Sequence, residues 1–289
     1  PRPVTMRALV VPGLLAVGMA TAGAGAREGQ SLKHYSTTRQ FHGEVRLAAK
    51  IEFGGGTLNV GAGAPGSLYA MQLAYDAERF QPVSRWESGT STVTLGLASR
   101  DKGTVGVGGV KQDQVADVQF SPQADLNLSM AMGAAKSVVD LGGLRLSSLV
   151  VETGASQTEV RFSKRNAMRC TAAEFRAGVA ELTVVGLGNS LCDRVSFEGG
   201  MGSVVLDYTG AWSTDAKLEA TLAVGGLTLR IPRAVGVTIT TEQFLASFQP
   251  AGFTRQGNKY VSTNNATAAR HLDVTLTTSL GGVTVEWLD

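Results

Sequence analysis

The chain has 289 residues, 43% of them hydrophobic and only 17% charged, a balance that excludes intrinsic disorder. Its formal charge is +2, and setting aside Arg2 and Arg7 leaves 24 basic against 24 acidic residues, so no electrostatic footprint for nucleic acid is present. The 36 glycines, with abundant Thr, Val and Ser, describe an all-β chain with few helices.

The first element is a targeting segment. Met6-Arg7 precedes an apolar run from Ala8 to Met19, and Thr21-Ala-Gly-Ala-Gly-Ala26 follows. A basic start, a short apolar core and a small-residue end form a secretory signal over residues 1–26, with residues 1–5 upstream of it. The rival reading is a retained anchor, against which stand Pro12, Gly13 and Gly18 within the core. No later stretch reaches 18 apolar residues, so no transmembrane segment is expected after cleavage, and the chain is expected outside the cytoplasm.

Residues 27–40 are polar and read as a flexible leader to a β-solenoid domain over 41–289. Val45, Leu47, Ala49, Ile51 and Phe53 alternate with more polar neighbours and end at Gly54-Gly-Gly56, which is a strand, a glycine bend and a second strand, Thr57–Val60. Leu68–Tyr75 and Thr92–Leu97 are further strands. Residues 98–117 are glycine-rich with little periodicity and read as an exposed loop or an irregular coil.

From residue 126 the pattern becomes regular. Glycine-centred units recur at Gly133, Gly154, Gly178, Gly200 and Gly225, with steps of 21, 24, 22 and 25 residues. A period in the twenties with alternating apolar positions is the signature of a parallel β-solenoid. The alternative is an antiparallel β-sandwich, whose hairpins can also repeat turn signals. Eight residues before three of these glycines stand Leu146, Cys170 and Cys192. Stacked coils would bring the two cysteines close enough for a disulfide, and two buried thiols are the alternative. Near the C-terminus, Phe244, Phe248, Phe253 and Tyr260 cluster in sequence. They read as a cap over the last apolar coil or, less simply, as a binding surface. Leu272–Trp287 closes the chain with a last unit.

Two segments carry a family resemblance. Leu222-Ala-Val-Gly-Gly-Leu-Thr-Leu-Arg-Ile-Pro-Arg-Ala-Val-Gly-Val-Thr-Ile and Leu276-Thr-Thr-Ser-Leu-Gly-Gly-Val-Thr-Val are similar to the C-terminal domain of LiaF-like cell-wall-active antibiotic response proteins. They also resemble a related family of adhesin-like bacterial β-solenoids. The resemblance covers roughly residues 126–289 and implies an extracytoplasmic solenoid with a binding or signalling role and no catalytic residues. LiaF-like proteins carry N-terminal membrane helices, whereas the apolar run here reads as a signal.

Motifs that carry chemistry are weak. Gly61-Ala-Gly-Ala-Pro-Gly66 fits the dinucleotide string, but Pro65 intervenes and a strand follows, so it reads as a turn. His34, His42 and His271 lack Cys, Asp or Glu partners at ligand spacing. Asp140, Glu159, Arg161, Asp207 and Arg230 fall on outer faces and are the candidates for a carbohydrate-active enzyme on this fold. The favoured reading assigns no catalytic, cofactor-binding or metal-ligating residue and no cofactor. It describes an exported, non-enzymatic envelope scaffold, adhesin-like or stress-response accessory. Its partner would be an envelope protein, a cell-surface polymer or another copy stacked through the solenoid ends.

Overall fold

The computed structural model describes residues 32–100, 113–242, 248 and 250–289. The expected signal segment, residues 101–112 of the expected glycine-rich loop and Phe244 lie outside these residues, while residues 98–99 and 115–117, read into that loop, belong to strands. In chain order the strands begin with β1 (Lys33–Gln40), β2 (Arg46–Ala62), β3 (Ser67–Tyr75), β4 (Phe80–Glu87), β5 (Thr92–Ser99) and β6 (Val115–Phe120). Then follow β7 (Asp125–Asp140), β8 (Arg145–Arg161), β9 (Cys170–Val185), the single-turn helix α1 (Leu187–Ser190), β10 (Cys192–Asp207) and β11 (Ala216–Pro232). The last are β12 (Val235–Glu242), β13 (Phe253–Gln256), β14 (Lys259–Ser262) and β15 (Arg270–Leu288).

The organising element is a long strand bent in its middle. In β10, Val195 and Phe197 are buried while Arg194 and Glu198 are exposed, which is ordinary period-two alternation. Gly200 and Met201 are then exposed in succession, which inverts the alternation. Val204 and Leu206 are buried beyond the inversion. One strand thus presents two apolar runs, and both feed a single core.

Seven such passes stack in parallel, in the order β2, β7, β8, β9, β10, β11 and β15. Register places like over like. Val195 stands between Ala173 and Leu218, and Phe197 between Phe175 and Ala220. The loops add a third wall, since Leu144, Phe162, Leu187 and Tyr208 are all buried. This is an all-β, mostly parallel solenoid-like architecture in an open sheet, and the central passes run in one direction. The sandwich alternative is excluded for them.

The ends differ from the expected single parallel winding. At the front, β3 is antiparallel to β6 and to β1, and β4 is antiparallel to β5. At the back, β12, β14 and β13 pair antiparallel beside the first half of β15. Residues 33–40, expected to belong to a flexible leader, form β1 instead. Their polarity suits an edge strand with one face in water, where alternation is weak.

The phase of the last repeat also changes. Gly225 pairs with Gly202, and Ala223 is the residue that succeeds Gly200. The corner has two columns of small residues two positions apart, and the sequence repeat stepped from one column to the other.

Candidate functional site

The bend creates the most distinctive surface of the molecule. Gly54, Gly133, Gly154, Gly178 and Gly200 form the first column of the corner. A Cβ on Gly133 would lie 2.3 Å from the Gly54 carbonyl oxygen, and one on Gly200 would lie 2.8 Å from that of Gly178. The second column is tighter still. A Cβ on Gly202 or Gly225 would stand 2.0 Å from the backbone oxygen of the preceding pass. Both residues have positive φ, 145° and 133°, where glycine carries no steric penalty. These glycines exist because successive corners approach backbone to backbone.

Along the first column lies an open groove of about 950 Å³ that crosses all seven passes. At a stacking interval of about 4.8 Å it is on the order of 29 Å long. Its outer wall carries Glu52, Glu152, Arg176 and Glu198, one residue from each of four passes. Arg176 Nη1 donates to Glu152 Oε1 at 2.6 Å and Nη2 to Glu174 Oε2 at 2.8 Å. The bond to Glu152 is the main reason its guanidinium is pushed above its ordinary value, and the charge of Glu174 adds to it. The wall therefore carries more negative than positive charge, with Arg176 holding Glu152 in place.

Between the two columns runs a ridge. Ala155, Val179, Met201, Val224 and Leu280 occupy equivalent positions in five successive passes. The last four are among the few large apolar side chains left exposed, at 57%, 52%, 42% and 64%.

The residues singled out by sequence take other places. Cys170 and Cys192 are register partners in β9 and β10 and form a disulfide, with Cα atoms 4.1 Å apart. Phe248 packs edge-on against Tyr260 at 4.9 Å, and Phe253 stacks on Trp287 at 5.3 Å, so these aromatics gather at the back end of the solenoid. Of the Gly61–Gly66 string, Gly61 and Ala62 end β2 and residues 63–66 make the turn into β3. His271 donates through Nε2 to the Asn265 carbonyl at 3.0 Å, and His34 lies on β1. Among the described residues no group of three metal-ligating side chains converges.

The acidic candidates are neighbours without forming a cleft. Asp140 pairs in register with Arg161, and Asp207 with Arg230. Asp140 accepts from Gly142 N at 2.9 Å and Ser163 Oγ at 2.7 Å, closing the turn after β7. Asp207 accepts from Thr209 N at 2.8 Å in the same way. Arg161 bonds Glu159 on its own strand, and Arg230 pairs with Glu286 at 2.8 Å.

Sequence reasoning missed Asn166. It is buried in the loop between β8 and β9, receives Leu146 N at 2.9 Å, and donates to the carbonyls of Leu146 at 2.8 Å and Ser190 at 3.1 Å. It ties its own loop to the start of β8 and to the end of α1.

Fold and surface define an open, mostly parallel β-solenoid with a groove and an apolar ridge along its outer corner. The chain belongs to the family described as the N-terminal domain of toast_rack, DUF2154, which matches residues 28–185. That match includes residues 28–125, where the resemblance to LiaF-like proteins was least clear in sequence. Three solved structures are similar to this chain. One is a "putative cell adhesion protein" from Clostridium sporogenes, 15% identical, covering 89% of this chain and 100% of its own, with a TM-score of 0.48. The second is a "putative adhesin" from Bacteroides fragilis, 12% identical, covering 90% and 99%, with a TM-score of 0.41. The third is a "putative adhesin" from Parabacteroides merdae, 9% identical, covering 89% and 97%, with a TM-score of 0.26. No curated protein matches the chain.

Proposed function

We propose that this protein is an exported, non-enzymatic β-solenoid that acts as a cell-envelope scaffold with an adhesin-like binding face. The observation that carries this reading is the groove along the corner. It is long, open and built from repeated positions of successive passes, which suits an extended polymer lying across them. Its three carboxylates, Glu52, Glu152 and Glu198, come from three different passes along one wall, and Glu152 is engaged by Arg176. Convergent, differently tuned acid groups are what a hydrolase or lyase needs. Asp140 and Asp207, the acids first considered for such chemistry, hold turns closed.

Export rests on the signal pattern at residues 1–26. Among the described residues no helix is long and apolar enough to cross a membrane. The link to LiaF-like envelope-response proteins rests on the segments 222–239 and 276–285, which lie in β11, β12 and β15, beyond the family match. An envelope-stress accessory role belongs to this proposal on that ground.

The test is co-sedimentation of the purified protein with isolated cell-wall sacculi. Retention is expected, and Glu52→Gln/Glu152→Gln/Glu198→Gln should lower it by about tenfold, since charge contacts to an extended ligand act together. Release of soluble sugar fragments from the sacculi, or equal retention of the triple variant, would overturn the proposal.

A further inference from the structure

The glycines of the corner are explained by backbone packing, but the ridge between them is not. The same column holds Gly55, Ala134 and Ala155 in the first three passes, so the bend accepts the smallest side chains there. The last four passes carry Val179, Met201, Val224 and Leu280 instead. Only one other large apolar side chain among the described residues is equally exposed, Val45 at 75%. Scattered apolar residues on a surface are ordinary, whereas four in one contiguous line mark an interaction surface.

We infer that this ridge is a homodimer interface, in which two copies pack corner to corner about a two-fold axis perpendicular to the stacking direction. Three observations single out a second copy as the occupant. The first is charge. Where the ridge is apolar its flanks are charged only at Arg176, Glu181 and Glu198, and the last two passes carry no charge beside it, with Gly226 and Gly282 on one side and Thr221 and Thr277 on the other. Three further charged flanks, Glu52, Lys136 and Glu152, belong to the earlier passes, whose ridge positions are Gly or Ala.

The second is symmetry. A two-fold axis centred between β10 and β11 sets Val179 beside Leu280 of the second copy and Met201 beside its Val224. The remaining charges then meet neutral groups: Glu181 faces Gly282 of the second copy, Glu198 faces its Thr221, and Arg176 faces its Thr277. Each charge is in register with a neutral group, and the two Glu198 side chains flank the axis one pass apart. Both ridges repeat at the same stacking interval of about 4.8 Å, so side chains of one interleave with those of the other.

The third is area. A line of four such side chains is a patch of a few hundred Å², and two facing patches with their small-residue flanks approach the lower end of about 1,200 Å² for a specific interface. A lipid surface fits less well. The ridge is one side chain wide, and Glu181 and Glu198 beside it would be repelled by anionic headgroups.

Sedimentation equilibrium of the purified protein is the experiment. A monomer–dimer equilibrium is expected in the micromolar range, as befits an interface of about this size. Met201→Ser/Val224→Ser/Leu280→Ser should weaken it by at least about tenfold, and Val45→Ser should leave it unchanged. All three substituted side chains are exposed, and an unchanged melting temperature verifies the fold. Orientation is read separately, since both native cysteines are tied up in the disulfide. A mixture of Val179→Cys and Leu280→Cys proteins should cross-link on oxidation, whereas Val179→Cys alone should not. A monomer at about 100 µM, a dimer insensitive to the triple substitution, or ready self-cross-linking of Val179→Cys would each overturn the inference. Ridge-dependent binding to zwitterionic vesicles by a protein that stays monomeric would overturn it as well.

Discussion

The phenol of Tyr208 sits in the loop wall beneath Trp212, fully buried, and its hydroxyl makes no hydrogen bond among the described residues. An unsatisfied buried hydroxyl costs about 1–3 kcal/mol, so Tyr208→Phe should leave thermal stability unchanged or raise it by up to about 1 kcal/mol. Burial also pushes the phenol's ionisation well above its ordinary value. The folded state therefore keeps a proton that the unfolded chain releases above pH about 10. Stability is full below that pH and declines as pH rises beyond it, because the unfolded state then binds fewer protons. Denaturant titrations from neutral to alkaline pH should show a shallower alkaline decline in Tyr208→Phe. Tyr69, also raised by burial, remains in both proteins, so part of the decline persists. A loss of more than about 1 kcal/mol at neutral pH would mean that the hydroxyl has a partner after all. Nothing in the sequence around Tyr208 announced this role. Val195 was legible because its neighbours alternate, whereas Tyr208 and Asn166 lie in loops whose side chains obey no period.

At the scale of one pass, register is what the sequence exposes best and direction is what it hides. The repeat steps of 21, 24 and 22 from Gly133 to Gly200 are the pairing offsets found between β7, β8, β9 and β10. The next offset is 23, as Met201 pairs with Val224. A backbone column of small residues can hold Ala as well as Gly, which is why Gly225 drew the repeat two positions out of phase. The same register brings Cys170 beside Cys192 and closes a loop across β9 and β10. A bridge over 22 residues restricts the unfolded chain, and Cys170→Ala/Cys192→Ala should lower stability by about 3 kcal/mol on the chain-entropy account. Paired melting curves of parent and variant under non-reducing conditions measure this. Melting that matches the parent would show that the stacked strands alone already hold this pair of passes. Antiparallel β3 and β4 alternate just as the parallel passes do, so a period of two left the front end unreadable.

Over the whole molecule, each pass lacks a core of its own and depends on the pass above and below. The ends are finished differently from the middle: Trp86 lies under the Arg39 guanidinium at the front, and Trp287 lies under Phe253 at the back. At the front β5 and β6 cover both halves of β2, and at the back β12 covers Arg270–Thr277 of β15, so the shared core runs from cap to cap and favours one cooperative transition for the described unit. The tryptophans are natural reporters of this. Trp212→Phe/Trp287→Phe leaves Trp86 at the front, and Trp86→Phe/Trp212→Phe leaves Trp287 at the back. Both proteins should melt with the same midpoint by fluorescence and by far-ultraviolet circular dichroism. Val195→Asp, placed in the fifth of the seven passes, would bury an unpaired carboxylate between Ala173 and Leu218 at a cost of several kcal/mol. In a single cooperative stack that one charge lowers both midpoints together, although the Trp287 reporter lies two passes away and the Trp86 reporter lies beyond β2, four passes away. If the Trp86 midpoint stays put while the Trp287 midpoint falls, the solenoid unfolds in segments, and the coupling between neighbouring passes is weaker than their shared core implies.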